Sequence, residues 1–202
     1  MRPVSYIVVA ALAGFIGGNV LQAPQLYDKV TNHIANSKSE PEGFWSTPAI
    51  TGYGKIHYVD TPAYNPRNDA SLSNKIVFQL NNNDGDIKDP HLGLERVARV
   101  VNLYYAAGIP LKKLDFVVSM NGDAVIAALN NEEFHKAYGI DNPNLKMIKE
   151  LENAGVKVTV CDQSVAFHHI NREWIDKTVT HTISSGTTVA TLQNQGYALL
   201  ML

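Results

Sequence analysis

The sequence predicts an α/β fold: a mostly parallel sheet of about five strands with helices on both faces. Three observations carry this. From residue 75 onward, short β-branched runs alternate with stretches of helical periodicity. The helical stretches are bracketed by start and stop residues, Asp89-Pro90 before Gly108 and Asn142-Pro143 before Gly155. The strand-like runs end in polar turns. Strands alternating with helices build βαβ units, whose crossovers are right-handed.

The elements follow in order. Residues 75–80 are short, apolar and β-branched, and run into Asn81-Asn82-Asn83-Asp84-Gly85. A helix then opens with Asp89 as N-cap and Pro90 as first residue. Val97, Val100, Val101, Tyr104 and Tyr105 form its stripe, and Gly108 stops it. Residues 114–120 are the second strand, ending in Asn121-Gly122-Asp123, with two short helical pieces around 124–129 and 132–138. Asn142 caps the next helix, with Leu145, Ile148 and Leu151 as its stripe and Gly155 as its stop. Residues 156–161 form the third strand, and a short helix carrying Val165, Ala166 and Phe167 follows. Residues 179–183 give a fourth strand, 187–194 a helix stopped by Gly196, and 197–202 a fifth strand tied into the sheet.

Ahead of this domain, expected over 71–202, the chain reads differently. Residues 4–21 are apolar apart from Ser5, Tyr6 and Asn19, and Arg2 precedes them. A charged start, an apolar stretch and small residues describe an export signal over residues 1–23, or an uncleaved anchor. Pro24 makes a poor cleavage site after Leu21-Gln22-Ala23. The expectation is a periplasmic or secreted protein, or one held on a membrane by residues 4–21 alone. Residues 24–70 hold Pro24, Pro41, Pro48, Pro62 and Pro66 without sustained periodicity, and read as an extended segment draped over the domain. In it, Tyr53, Ile56, Tyr58 and Val59 supply a short strand or packing contacts.

Composition excludes several classes. The net charge of −2 comes with no run of Lys or Arg, which argues against phosphate-driven nucleic-acid binding and a polybasic membrane surface. Gly-x-Gly-x-x-Gly, a phosphate loop, Gly-x-Ser-x-Gly and Cys-x-x-Cys are all absent. No cofactor is expected. Tyr104, Tyr105 and Trp174 are candidates for a contact surface.

Cys161 is the one cysteine. It closes the third strand, where open α/β sheets place reactive groups. Two readings are open: a small buried hydrophobe, or a thiol kept for chemistry, since a single cysteine has no internal disulfide partner. A disulfide to another subunit is a third and weaker option. The helix after Cys161 points unpaired amides at the sulfur and favours the thiolate, while Asp162 next door opposes it. Asp162 or Ser164 is expected to cap that helix. The polar turns Asn81 to Asp84, Asn121-Gly122-Asp123 and Cys161-Asp162-Gln163-Ser164 meet at one sheet edge. The supporting candidates are therefore Asp162, Gln163, Ser164, Asn121, Gly122 and Asn82. His168 and His169 are either a general base for the thiol or, more simply, a solvent-facing residue and a subunit contact. Cys161 with these two histidines matches no common zinc spacing, and no metal is expected.

Five separated stretches stand out: residues 155–164 around the cysteine, Thr191-Leu192-Gln193-Asn194-Gln195-Gly196-Tyr197-Ala198, Asn142-Pro143-Asn144-Leu145, Asn121-Gly122-Asp123-Ala124-Val125 and Gly52-Tyr53-Gly54-Lys55-Ile56. Together they resemble the DsrE/DsrF-like family, in its small exported, YchN-like branch. The resemblance covers 71–202 and, more loosely, 44–70. It implies a three-layer flavodoxin-like fold, assembly as a homo-trimer or homo-hexamer, and in some relatives sulfur relay through a cysteine persulfide. Only Cys161 maps onto a functional position. Two departures stand out: Asp162 where relatives often have Gly, and Asn121-Gly122 where they often have His-Gly.

The leading expectation is thus an exported sulfur carrier whose Cys161 takes a sulfane sulfur from a donor, a protein or small sulfur compound, and passes it to an acceptor. The thiol must be within reach of solvent and partly ionised. The alternative is a non-enzymatic oligomer that binds a ligand or protein, with Cys161 merely packed.

Overall fold

The computed structural model describes residues 40–60, 63–69 and 71–202. The chain divides into two units, Met1–Phe44 and Trp45–Leu202. The apolar stretch 4–21 and the expected cleavage site lie outside the described residues. No helix among those residues is long and apolar enough to cross a membrane.

Unit Trp45–Leu202 is built on five parallel strands: β1 (Lys75–Leu80), β2 (Asp115–Met120), β3 (Lys157–Cys161), β4 (Thr180–Thr182) and β5 (Ala198–Met201). Their spatial order is β4-β3-β2-β1-β5, with Ile76 opposite Phe116, Val118 opposite Val158 and Val77 opposite Leu199. The helices are α1 (Leu92–Ala106), α2 (Asn131–Tyr138), α3 (Leu145–Asn153), α4 (Asp162–Phe167) and α5 (Ser185–Asn194). A 3-10 segment, Gly122–Ala128, follows β2.

Strand alternation separates two cores. Ile76, Phe78, Leu80, Phe116, Val118, Met120, Val158 and Val160 point to one face and join Leu94, Val97 and Val101 of α1, Ile148 and Leu151 of α3, and Val165 of α4. Val77 and Val117 point to the other and meet Val189, with Leu192, Tyr197 and Leu199 alongside. Helices therefore lie on both faces, with α5 covering the second. This is a three-layer α/β fold of the flavodoxin type. Tyr104 packs edge-on against Phe116 at 5.2 Å and Trp174 lies against the main core, each half-buried, and Tyr105 is exposed.

Two helix starts differ from the predicted ones. The first begins at Leu92, capped by buried His91, whose Nδ1 accepts the Gly93 amide at 3.0 Å. Exposed Asp89 instead closes a turn back to Asp86. Asn142 is not a cap either. It is 6% exposed, donates to the Ala127 and Leu129 carbonyls, and accepts the Asn144 amide, so it joins the end of the 3-10 segment to the approach of α3.

The segment before β1 packs more tightly than an extended drape. Ile50 and Ile56 are buried, and Ser46 bridges Ile56. Buried Asn102 of α1 holds this loop with its whole amide: Oδ1 accepts from Ala49 and Ile50, and Nδ2 donates to the Tyr53 and Gly54 carbonyls, all at 2.8–2.9 Å. Gly54 lies so close to α1 that a Cβ there would meet the Arg99 nitrogen at 2.2 Å.

Candidate functional site

The sheet topology locates the site. β3 feeds α4, whose Val165 belongs to the α1 core, whereas β4 feeds α5 on the opposite face. Connections thus leave the carboxyl ends of neighbouring strands toward opposite faces, and such a switch point opens a crevice between the strands. Cys161 is the last residue of β3, on the α5 side of the sheet with Thr159.

The surroundings of its sulfur are polar. Burial raises the thiol pKa, but the Ser164 hydroxyl and the amides of Ser185, Ser164 and Gln163 outweigh it, and the thiol lies below its ordinary value. The amides come from the first turns of two helices, α4 and α5, which leave such groups without intrahelical partners. Ser164 Oγ also accepts the Gly122 amide at 3.0 Å, which leaves the hydroxyl hydrogen for the sulfur. Gly122 reaches this position at φ +53, where a Cβ would stand 2.4 Å from the Asn81 carbonyl oxygen.

Above the sheet, Ser185 is pinned from below. Ser119 Oγ donates to Ser185 Oγ at 2.9 Å, and Gln79 Nε2 donates to the same atom at 3.3 Å. Sequence reading missed this pair. A polar residue in the inward alternation of β2 and the Ser184-Ser185 helix start were the available signals.

Asp162 does not cap α4. Its carboxylate turns aside to His181 Nδ1 of β4 at 2.5 Å and to Arg172 at 3.3 Å. The N-cap position is Cys161 itself, with no side-chain cap bond. Gln163 contributes its amide to the sulfur, while its side chain donates to the Ile183 carbonyl at 3.2 Å. Asn121 stands at the end of β2, and its Oδ1 is buried without a partner, as is that of Asn81. Asn82 does not join the site. It is exposed at the end of β1, two strands from β3, and its carbonyl accepts from His91 Nε2 at 2.6 Å.

Neither histidine after α4 acts on the sulfur as a base would. His168 pairs with Asp123 at 3.3 Å, and His169 is exposed at φ 56. No group of three His, Cys, Asp or Glu residues that could hold a metal occurs among the described residues.

The expectation of a solvent-reachable thiol is met only in part. Cys161 exposes 4% of its surface, and burial, the largest influence on its thiol, is opposed by the polar groups of Ser164, Ser185 and Gln163. Two open surface hollows, of about 490 and 540 Å³, lie instead near the amino edge of the sheet around Asn74 and Ser73.

The chain is similar to the structure of a protein of unknown function, MTH1491, from Methanobacterium thermoautotrophicum: identity is 15%, the TM-score 0.44, and the match covers 63% of this chain and 97% of that one. No curated protein matches. Residues 74–202 match the DsrE/DsrF-like family, from the first strand to the last residue, and the chain belongs to that family.

Proposed function

We propose that this protein carries sulfur as a persulfide on Cys161. The observation that supports it most is the place of Cys161 at the carboxyl end of β3 and the start of α4, where the Ser164 hydroxyl and neighbouring amides hold its thiol below the ordinary value. The Cys161 thiolate attacks the terminal sulfur of a persulfide or polysulfide donor. The donor's S–S bond breaks, its electron pair leaves with the donor thiolate, and a new S–S bond forms on Cys161. An acceptor thiolate then takes the outer sulfur and returns Cys161 to its thiolate, so no outside oxidant or reductant is consumed. The same donors that hold the thiolate hold the charge of the persulfide. Export or anchoring through residues 4–21 and assembly as a trimer or hexamer belong to this reading, the first resting on the apolar stretch and the second on the family resemblance.

A second reading, an oligomeric binding module with a packed cysteine, draws support from the low exposure of Cys161. The test is mass spectrometry of the folded, reduced protein after incubation with inorganic polysulfide. A gain of one sulfur atom, removed by a thiol reductant and absent from Cys161→Ser, is expected. A bare Cys161, under conditions that load a control thiol, contradicts sulfur transfer and leaves the binding module.

A further inference from the structure

The residue after the sulfur is an aspartate, and a carboxylate beside a thiol disfavours a second negative charge. Its oxygens, however, are both engaged by basic side chains from other parts of the fold. Oδ1 meets His181 Nδ1 of β4, and Oδ2 meets an Arg172 nitrogen at 3.3 Å. Arg172 begins the 3-10 turn Arg172–Trp174 that follows α4, so two separate elements after Cys161 supply the partners. Asp162 and His181 are both half-buried, which weakens solvent screening of their contact, whereas the Arg172 side chain is 67% exposed.

Glu173 adjoins Arg172 in the same 3-10 turn, and Lys177 precedes β4. The α5 sequence over the sulfur, SGTTVATLQN, contains no charged residue, and His181 is the one titratable residue of β4. Asp176, before β4, has an oxygen engaged by the Thr178 amide and hydroxyl. His168 and Asp123 pair with each other.

We propose that His181 and Arg172 are positioning residues for Cys161: by their contacts they hold the Asp162 carboxylate to one side, and so permit a thiolate next to an acidic residue. This deepens the reading of Cys161 as the reactive sulfur and rests on it. His181 and Arg172 touch neither the sulfur nor a donor; they act through Asp162.

The test follows Cys161 ionisation across pH by NMR of an isotope-labelled cysteine β-carbon in the full chain, which needs no reagent access and no sulfur donor. His181→Gln and Arg172→Gln are each expected to move the thiol midpoint to higher pH and to lower the thiolate fraction at neutral pH by about threefold. Asp162→Asn is expected to move it the other way. In the Asp162→Asn background the shift from His181→Gln or Arg172→Gln is clearly smaller, because the carboxylate they hold is gone. A shift that persists undiminished in that background, or no shift in the native one, overturns the proposal. Should His181→Gln fail to fold, exposed Arg172→Gln makes the same comparison. A protein that shows these titrations but takes up no sulfur disproves the transfer and not the electrostatics; the reverse result does the opposite.

Discussion

Ser164 Oγ lies 3.0 Å from the Gly122 nitrogen and accepts its hydrogen, joining the turn after β2 to the helix that starts at Cys161. One hydroxyl thereby connects the two strand ends and is the side-chain donor that lowers the Cys161 thiol pKa. The donor role is chemical: an oxygen that accepts the amide hydrogen has its own hydrogen left to donate.

Ser164→Ala removes the first of the favourable contacts to the thiolate and strands the Gly122 amide. The thiol is held below its ordinary value by these donors, so losing one raises it. The expected outcome is a smaller thiolate fraction at neutral pH, read by ultraviolet absorbance of the thiolate, with a stability loss of about 1 kcal/mol in urea unfolding. Ser164→Thr keeps a hydroxyl and should recover most of the ionisation.

Gly122→Ala meets a harder obstacle. At φ +53 its Cβ would be pressed to 2.4 Å from a backbone carbonyl, which cannot swing away as a side chain can. A loss of about 2 kcal/mol or more is expected from strain and backbone displacement, measured by chemical denaturation. Gly139→Ala also sits at positive φ but has open space around its Cβ, and it should cost less.

Asn102→Ala should release the 46–56 loop. Two backbone amides and two carbonyls lose their partner at once. A destabilisation of about 3 kcal/mol is expected, along with new protease cleavage within 46–56 under native conditions. Exposed Asn83→Ala is the neutral control.

Acid should find His91. Its pKa is lowered chiefly by burial, against the pull of the Asn82 carbonyl and Asp84. The neutral ring accepts from Gly93 at Nδ1 and donates to Asn82 at Nε2, and protonation removes the acceptor. A group whose folded pKa lies below its unfolded value contributes stability that is complete above the unfolded value, about 6.5 for histidine, and is lost as pH falls through the folded one. Thermal unfolding of the native protein should therefore weaken from about pH 6.5 downward. His91→Asn, which carries no titrating group, should be less stable at neutral pH but show less of this acid loss.

The strands were the most legible part of the sequence. Residues 75–80 stand in the structure as expected because an apolar β-branched run ending in polar residues leaves little choice of boundary. The strand-end position of Cys161 and the amides over it followed from the same logic. Helix starts were misread where tertiary partners decide them: His91 caps α1 with a ring buried by the fold, and its own amide is held by Asn144 of the approach to α3. The cover over the sulfur was invisible for a similar reason. Ser119 and Ser185 are 66 residues apart, and only the crossover from β4 to α5 brings them together. Asp162 looked like a cap because its partners, His181 and Arg172, lie on other elements.

Whether a donor can reach an ionised Cys161 in the folded protein decides the account, and the pH dependence of its reaction with a small neutral alkylating reagent measures both properties together. The native protein should react at neutral pH, with a rate that rises through a midpoint below that of the same cysteine in the urea-unfolded chain. A thiol that reacts only after unfolding, or with a native midpoint at or above the unfolded one, contradicts a sulfur-carrying Cys161.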